Sequence, residues 1–310
     1  MGIKHYRFID YATQSYIGLV GLLILCFHNQ TVPHWRWLLG AHAIGLILIH
    51  LLIRFHAIAK SSRALDFLRH FYPVLLYTAF YRETGALNQM FVADYLDPAC
   101  IRLEHAIFGF QPSLTFMYWL PQLAVSELFY AAYFSYYIMI VGVGLALFVR
   151  DRRQFAHYVS VVSFVFYVCY FSYIFVPVMG PRIFFREIEG YRLPEEVQVL
   201  AGAPTFPASV QHGPFYQIMG FIYRHFEAPG AAMPSSHVAI ALCTLWFSFR
   251  YLRAIRHVHL VMVILLCLAT IYCRYHYAID VVAGLLTAAV LVPLGDRLYG
   301  PAAETPKNRP

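Results

Sequence analysis

Eight apolar stretches divide the chain, at residues 11–27, 35–53, 67–81, 124–149, 155–178, 236–252, 258–273 and 277–295. Most approach the ~20 residues that an α-helix needs to cross a bilayer. Hydrocarbon offers no partner to an exposed peptide group, so the pattern predicts an all-α, polytopic membrane bundle of about eight spans. The third stretch is short and carries Arg69, His70 and Pro73, which admits a tilted or half-inserted helix and would leave seven crossings. Lys4 and Arg7 precede the first stretch as they would in a signal peptide, but no small-residue cleavage pattern follows, so the first helix is expected to stay.

The polar segments between stretches are mostly short and no repeat interrupts them, which predicts one helical domain. Within it, residues 1–66 form N-terminal membrane helices, 67–299 the main membrane domain, and the polar, Pro-rich tail 300–310 a disordered end. Two segments are longer than a connection needs. In the first, apolar residues recur at helical spacing from Asp97 to Phe108, before Gly109 and Pro112 stop the run. That spacing predicts an amphipathic helix in the membrane interface. The second, residues 179–234, joins Arg182, where Gly180 and Pro181 are expected to end the fifth span, to Pro234 and contains a surface-helix candidate at 217–226.

Composition agrees with a membrane protein: 60% of residues are hydrophobic and only 13% charged, about half the usual share of a soluble domain. The net charge of +7 would suit nucleic acid if it formed one patch, but it is confined to alternate connections. Arg54, Lys60, Arg63 and Arg69 face Asp66; Arg150, Arg152 and Arg153 face Asp151; Arg250, Arg253 and Arg256 face no carboxylate. The intervening segments carry more acid than base. The positive-inside rule then puts both termini in the cytoplasm and His237, with the turn at 273–277, at the outer face: periplasmic, extracellular or lumenal, and on the inner membrane in a bacterium. The six cysteines form no Cys-x-x-Cys pair and read as small apolar residues.

His276 and Asp280 form the one His-x-x-x-Asp in the chain, a spacing that puts both on one helix face. A carboxylate on one ring nitrogen fixes the tautomer and leaves the other nitrogen for attack or proton transfer. The bland reading is a satisfied polar pair inside a bundle. Against it, ionisable groups in membrane helices are costly and usually line a functional cavity, and Arg274 stands two residues away. Pro234-Ser235-Ser236-His237 reads as a helix start whose serine cap and open N–H groups suit an anion. His237 in that first turn is placed to protonate a leaving oxygen, the alternative being an ordinary interfacial histidine. Arg182 supplies a planar fork for phosphate or for lipid headgroups in general. His42 and His50 read as structural, and the stripe Glu127, Tyr130, Phe134 and Tyr137 as bundle packing, with a headgroup pocket as its alternative.

The strings PSSH (234–237) and RYHYAIDVVAG (274–284) resemble the type 2 phosphatidic acid phosphatase superfamily, more closely its inositol phosphorylceramide synthase-like branch. The resemblance covers about residues 174–290, and FGFQPS at 108–113 is similar to that branch's interfacial segment. It implies a six-helix phosphatase-like core and a reaction without metal or cofactor. In that reaction His276 attacks phosphorus to give a phosphohistidine, Asp280 orients it, and His237 protonates the leaving group. Arg182, Arg274, Ser235 and Ser236 would hold the phosphate oxygens. The chain departs from the broad family: its Lys-x6-Arg-Pro motif is missing, with Arg182 as the substitute for its first part. Thr270 stands where the family has an Arg, and Ser236 where it has a Gly, with Arg274 compensating as in the branch.

The expected function is therefore an integral-membrane phosphotransferase or phosphatase for lipid phosphates, with headgroup transfer to inositol or another alcohol as the leading form. Hydrolysis of phosphatidate or a polyprenyl diphosphate is the enzymatic rival. A non-catalytic lipid-phosphate binding protein or transporter is the rival from another class. Membrane lipids, not nucleic acid, are the expected partners.

Overall fold

A computed structural model describes residues 5–58, 62–185, 206–226 and 228–300. Among the described residues there are twelve α-helices: α1 (Phe8–Phe27), α2 (Trp35–Ile58), α3 (Arg63–Leu87), α4 (Asp97–Phe108), α5 (Pro112–Trp119), α6 (Leu123–Arg150), α7 (Arg152–Tyr173), α8 (Pro181–Phe184), α9 (Pro214–Phe226), α10 (Ser236–Tyr251), α11 (Arg256–Tyr272) and α12 (Ala278–Tyr299). The tail expected to be disordered lies outside the described residues but for Gly300, as does much of the long segment before α9.

All eight apolar stretches are helices. Five of them, α1, α2, α6, α7 and α12, are long and apolar enough to cross a membrane, while α11 is apolar but shorter. The expected fifth span is cut short, because α7 ends at Tyr173 and Pro181 opens α8 instead of closing a span. Proline fits there because the first helical position needs no N–H.

α7 is the buried centre, packed against α1, α3, α6, α10 and α12. α2 lies outside, burying only His42, Ile49 and Ile53. Contacts between helix ends show that the eight run alternately up and down. At one end Asn29 donates to Met90 O (2.9 Å), Tyr272 to Leu120 O (2.8 Å) and Tyr173 to Pro234 O (3.0 Å). At the other, Arg69 clasps Asp10, Arg150 donates to Tyr251 O (2.7 Å) and Arg250 meets Asp296 at 3.1 Å. α3 is no half-length element: Arg69 near its start holds α1, and Asn88 just past its end donates to Pro229 O. Pro73 is accommodated inside this 25-residue helix.

The basic connections at Arg54, Arg63, Arg150–Arg153 and Arg250–Arg256 all fall at the second end, away from His237 and His276. α4 has the expected length and two distinct faces. Asp97, Cys100, Ile101 and Glu104 point inward, while Leu103, Ile107 and Phe108 are exposed. An apolar outer face is what a helix needs at a lipid boundary, and the inward carboxylates have specific partners described below.

His42 lies 3.4 Å from Glu83 and His50 bonds Tyr6 at 2.7 Å, so the two histidines have separate, structural partners. All six cysteines are free thiols.

Candidate active site

Three connections meet at the first end of the bundle. The α11–α12 turn folds back on itself, the N–H groups of Tyr275 and His276 donating to Thr270 O at 3.0 and 3.1 Å. Arg274 takes φ +63° there, a left-handed value rare for a side chain-bearing residue. The segment after α7 runs against this turn, with Arg182 N donating to Arg274 O at 2.8 Å. Gly180 has φ +91°, and a Cβ on it would meet Tyr275 O at 2.7 Å, so both backbone and space demand glycine. The third connection enters through Ala232 N, which donates to Val178 O at 2.9 Å.

The start of α10 is tied directly to α12. Ser235 N donates to Asp280 O at 3.1 Å, and Gly284 lets the helices close, since a Cβ there would lie 2.6 Å from Ser235 O. Ser235 is the N-cap: its Oγ accepts from Val238 N at 3.3 Å. Ser236 N donates to Tyr173 Oη at 3.3 Å.

These ties bring the reactive side chains together. His276 Nδ1 lies 3.4 Å from Asp280 Oδ2, and its Nε2 lies 3.2 Å from His237 Nδ1. Asp280 Oδ2 is itself fixed by Tyr277 N at 2.9 Å in a capping box at the start of α12. Burial disfavours the imidazolium of His276 and pushes its pKa down to about 4, which keeps the ring neutral at pH 7. A neutral ring with one nitrogen facing a carboxylate has a lone pair on the other.

Arg182 reaches the same cleft, which His237, His276, Tyr275, Tyr223 and Ala232 also line. Its guanidinium lies over the rings of Tyr223 and Tyr275, at 4.8 and 5.0 Å from their centroids, and donates to Tyr275 Oη at 3.2 Å. Arg274 goes elsewhere. Its side chain donates to Leu114 O at 3.2 Å and lies over Tyr118 and Phe206, so it braces α5 and is not among the residues lining the cleft. The left-handed backbone at Arg274 accompanies this outward turn. Of the expected phosphate ligands, Arg182 and the Ser235–Ser236 helix start stand beside the histidines, and Arg274 does not.

From His237 and Ser236 an apolar groove of about 450 Å³ descends between α3, α6 and α7, with α9 over its mouth. Its walls are Tyr77, Tyr81, Tyr137, Ile140, Phe166 and Tyr170, among others. The polar-aromatic stripe of α6 divides between two roles. Glu127 accepts from Phe215 N (2.7 Å) and Tyr216 N (3.2 Å), and so seats the start of α9, whereas Tyr137 faces the groove.

Two residues that organise the site were not singled out from sequence. Asp97 accepts from Met179 N (2.8 Å), Gly180 N (2.9 Å) and Tyr277 Oη (3.0 Å). Glu104 accepts from Ala278 N and, at 3.3 Å, from Ile279 N, closing the first turn of α12. Burial pushes Asp97 up to about 6 and Glu104 up to about 7, while the N–H donors pull both the other way. Their seven-residue spacing, which puts both carboxylates on one face of the helix, was the available signal. Among the described residues, no group of three or more His, Cys, Asp and Glu is placed to hold a metal ion.

The sequence model of the PAP2 superfamily matches residues 99–294, from α4 to the last turns of α12. Comparison with curated proteins and with solved structures gave no match.

Proposed function

The chain belongs to the PAP2 superfamily, which supports a lipid phosphatase or phosphotransferase kind of function, and from that premise we propose an enzyme that works through a covalent phosphohistidine on His276. The observation that carries this reading is the line Asp280, His276, His237, with contacts of 3.4 and 3.2 Å. With the His276 proton on Nδ1 beside Asp280, Nε2 holds the lone pair; substrate phosphorus enters between Nε2 and His237, and His237 acts as the acid from its imidazolium form.

Nε2 of His276 attacks phosphorus as the bond from phosphorus to the leaving oxygen breaks, and His237 gives that oxygen its proton. His237 then takes a proton from the water or alcohol that attacks the phosphohistidine, which regenerates His276. Arg182 holds the non-bridging oxygens with its fork, helped by the N-terminus of α10 at Ser235 and Ser236. Arg274 acts on the site through the turn it stabilises, as a positioning residue.

The groove that starts at His237 supports a substrate with an apolar chain. The separation of the site from the basic connections supports an outer-face site with both termini in the cytoplasm. Headgroup transfer to inositol or another alcohol, as in inositol phosphorylceramide synthases, is the form we favour on the resemblance of RYHYAIDVVAG. Hydrolysis is its rival.

A labelled lipid phosphate, incubated with purified protein with and without inositol, tests this. Label in a new phospholipid supports transfer, and label in free phosphate supports hydrolysis. No turnover in either case, with lipid still bound, would replace the enzyme by a binding protein.

A further inference from the structure

At the end of the bundle opposite His276, a cavity of about 630 Å³ opens between the ends of α1, α3, α7 and α12. Arg7, Arg69, Arg152 and Arg153 line it, with His70. Its remaining walls include Phe8, Ile9, Pro73 and Val159, so a cationic rim stands over an apolar interior.

The charges in this cavity do not cancel. The buried carboxylate that pairs with Arg69 is Asp10, and its acceptor sites are taken: both oxygens accept from Arg69, Oδ1 also from Tyr72 Oη (2.7 Å) and Oδ2 also from Arg7 N (2.7 Å). A carboxylate has about four acceptor positions, so nothing remains for the other guanidiniums. At the rim, Asp66 faces His56 and His70 at 3.5 and 3.4 Å, and Asp151 caps α7 through Arg153 N at 2.7 Å. Among the described residues Arg7, Arg152 and Arg153 enter no ion pair. Burial and the neighbouring Arg69 charge push the Arg7 guanidinium below its ordinary value, against the opposing pull of Asp10, Tyr299 and Asp66.

We infer that this cavity is a second, non-catalytic anion site, in which Arg7, Arg152 and Arg153 hold the phosphate group of an anionic phospholipid from the leaflet opposite the active site. Guanidinium forks match phosphate oxygens, and the apolar walls below the rim suit the glycerol and first methylenes of such a lipid. Helices α1 and α3 lie outside the matched segment 99–294, so the site joins the N-terminal helices to α7 and α12 of the family region. It does not depend on the proposed chemistry at His276.

Native mass spectrometry of the purified chain tests the inference by titration with phosphatidylglycerol, with zwitterionic phosphatidylcholine, and with inorganic phosphate. The expected result is one phosphatidylglycerol adduct that weakens about tenfold or more in Arg152→Gln/Arg153→Gln. The adduct should persist in Arg253→Gln/Arg256→Gln, which removes the same charge from a neighbouring connection. Arg7→Gln serves as the second variant should the first fail to fold. Inorganic phosphate that binds with the same arginine dependence and displaces the lipid would keep the site and identify a free ion as its occupant. Equal binding of both lipids, or equal loss in the two glutamine pairs, would overturn the inference.

Discussion

His237 Nδ1 and His276 Nε2 meet at 3.2 Å, although 39 positions separate them in the chain. The contact depends on Ser235 N reaching Asp280 O and on the absence of a side chain at Gly284. On its other side His276 Nδ1 faces Asp280 Oδ2 at 3.4 Å, and the proposed mechanism gives the two histidines different jobs.

Those jobs separate by leaving group. His276→Ala should reduce turnover of every phosphoester by at least about 10³-fold, since the nucleophile is gone. His237→Ala should cost about 10²- to 10⁴-fold on an alkyl ester, whose leaving oxygen needs a proton, and far less on a p-nitrophenyl ester, whose leaving group does not. Equal losses of His237→Ala on both esters would remove it as the acid.

Arg182 lies over two tyrosine rings beside the histidines, in the cleft they line together. Arg182→Ala should lower kcat about 10²- to 10³-fold, the usual cost of one transition-state donor. Arg182→Lys keeps the charge but loses both the planar fork and the stacking, so it should recover little. Arg274→Ala should instead lower thermal stability, because the hydrogen bond to Leu114 O and the packing on Tyr118 and Phe206 go with it. A kcat loss for Arg274→Ala equal to that of Arg182→Ala, with stability unchanged, would return Arg274 to the phosphate.

The helices were legible because a membrane imposes one pattern on them: uninterrupted apolar runs, with basic residues gathered in alternate connections. The pair His276 and Asp280 was legible because helical spacing is local. The direction of Arg274 was not, since a left-handed backbone at one residue turns its side chain away from neighbours that look adjacent in sequence. The roles of Asp97 and Glu104 were hidden for a different reason. Their partners are backbone N–H groups of Met179, Gly180, Ala278 and Ile279, and backbone donors carry no sequence signature.

Glu104 makes a pH prediction. Its carboxyl is raised by burial to about 7 from an ordinary 4.5, so the fold favours its protonated form. A group raised in this way contributes stability below its unfolded pKa and loses it as pH rises through the folded one. Glu104→Gln keeps an oxygen for Ala278 and Ile279 N–H but cannot ionise. The Tm of wild type should therefore fall relative to Glu104→Gln between about pH 4.5 and 7 and run parallel above that range. A difference that stays constant over the whole range would show that Glu104 does not titrate there.

The proposed placing of a substrate chain in the groove below His237 predicts a limit on chain length. Tyr77, on its wall, lies ten positions from the end of α3, about 15 Å along the helix axis and so about half the thickness of the hydrocarbon core. Ile140 and Phe166 wall the same groove, and Ile140→Trp should shorten it. Displacing about two methylenes of a bound chain at ~0.8 kcal/mol each lowers kcat/KM for a long-chain substrate roughly tenfold while sparing a short one. The ratio of kcat/KM between long- and short-chain lipid phosphates is the measurement. Val149→Trp, on an exposed position of the same helix, should leave that ratio unchanged. If both variants shift the ratio alike, the chain lies outside the groove, against the lipid-facing surface of α6.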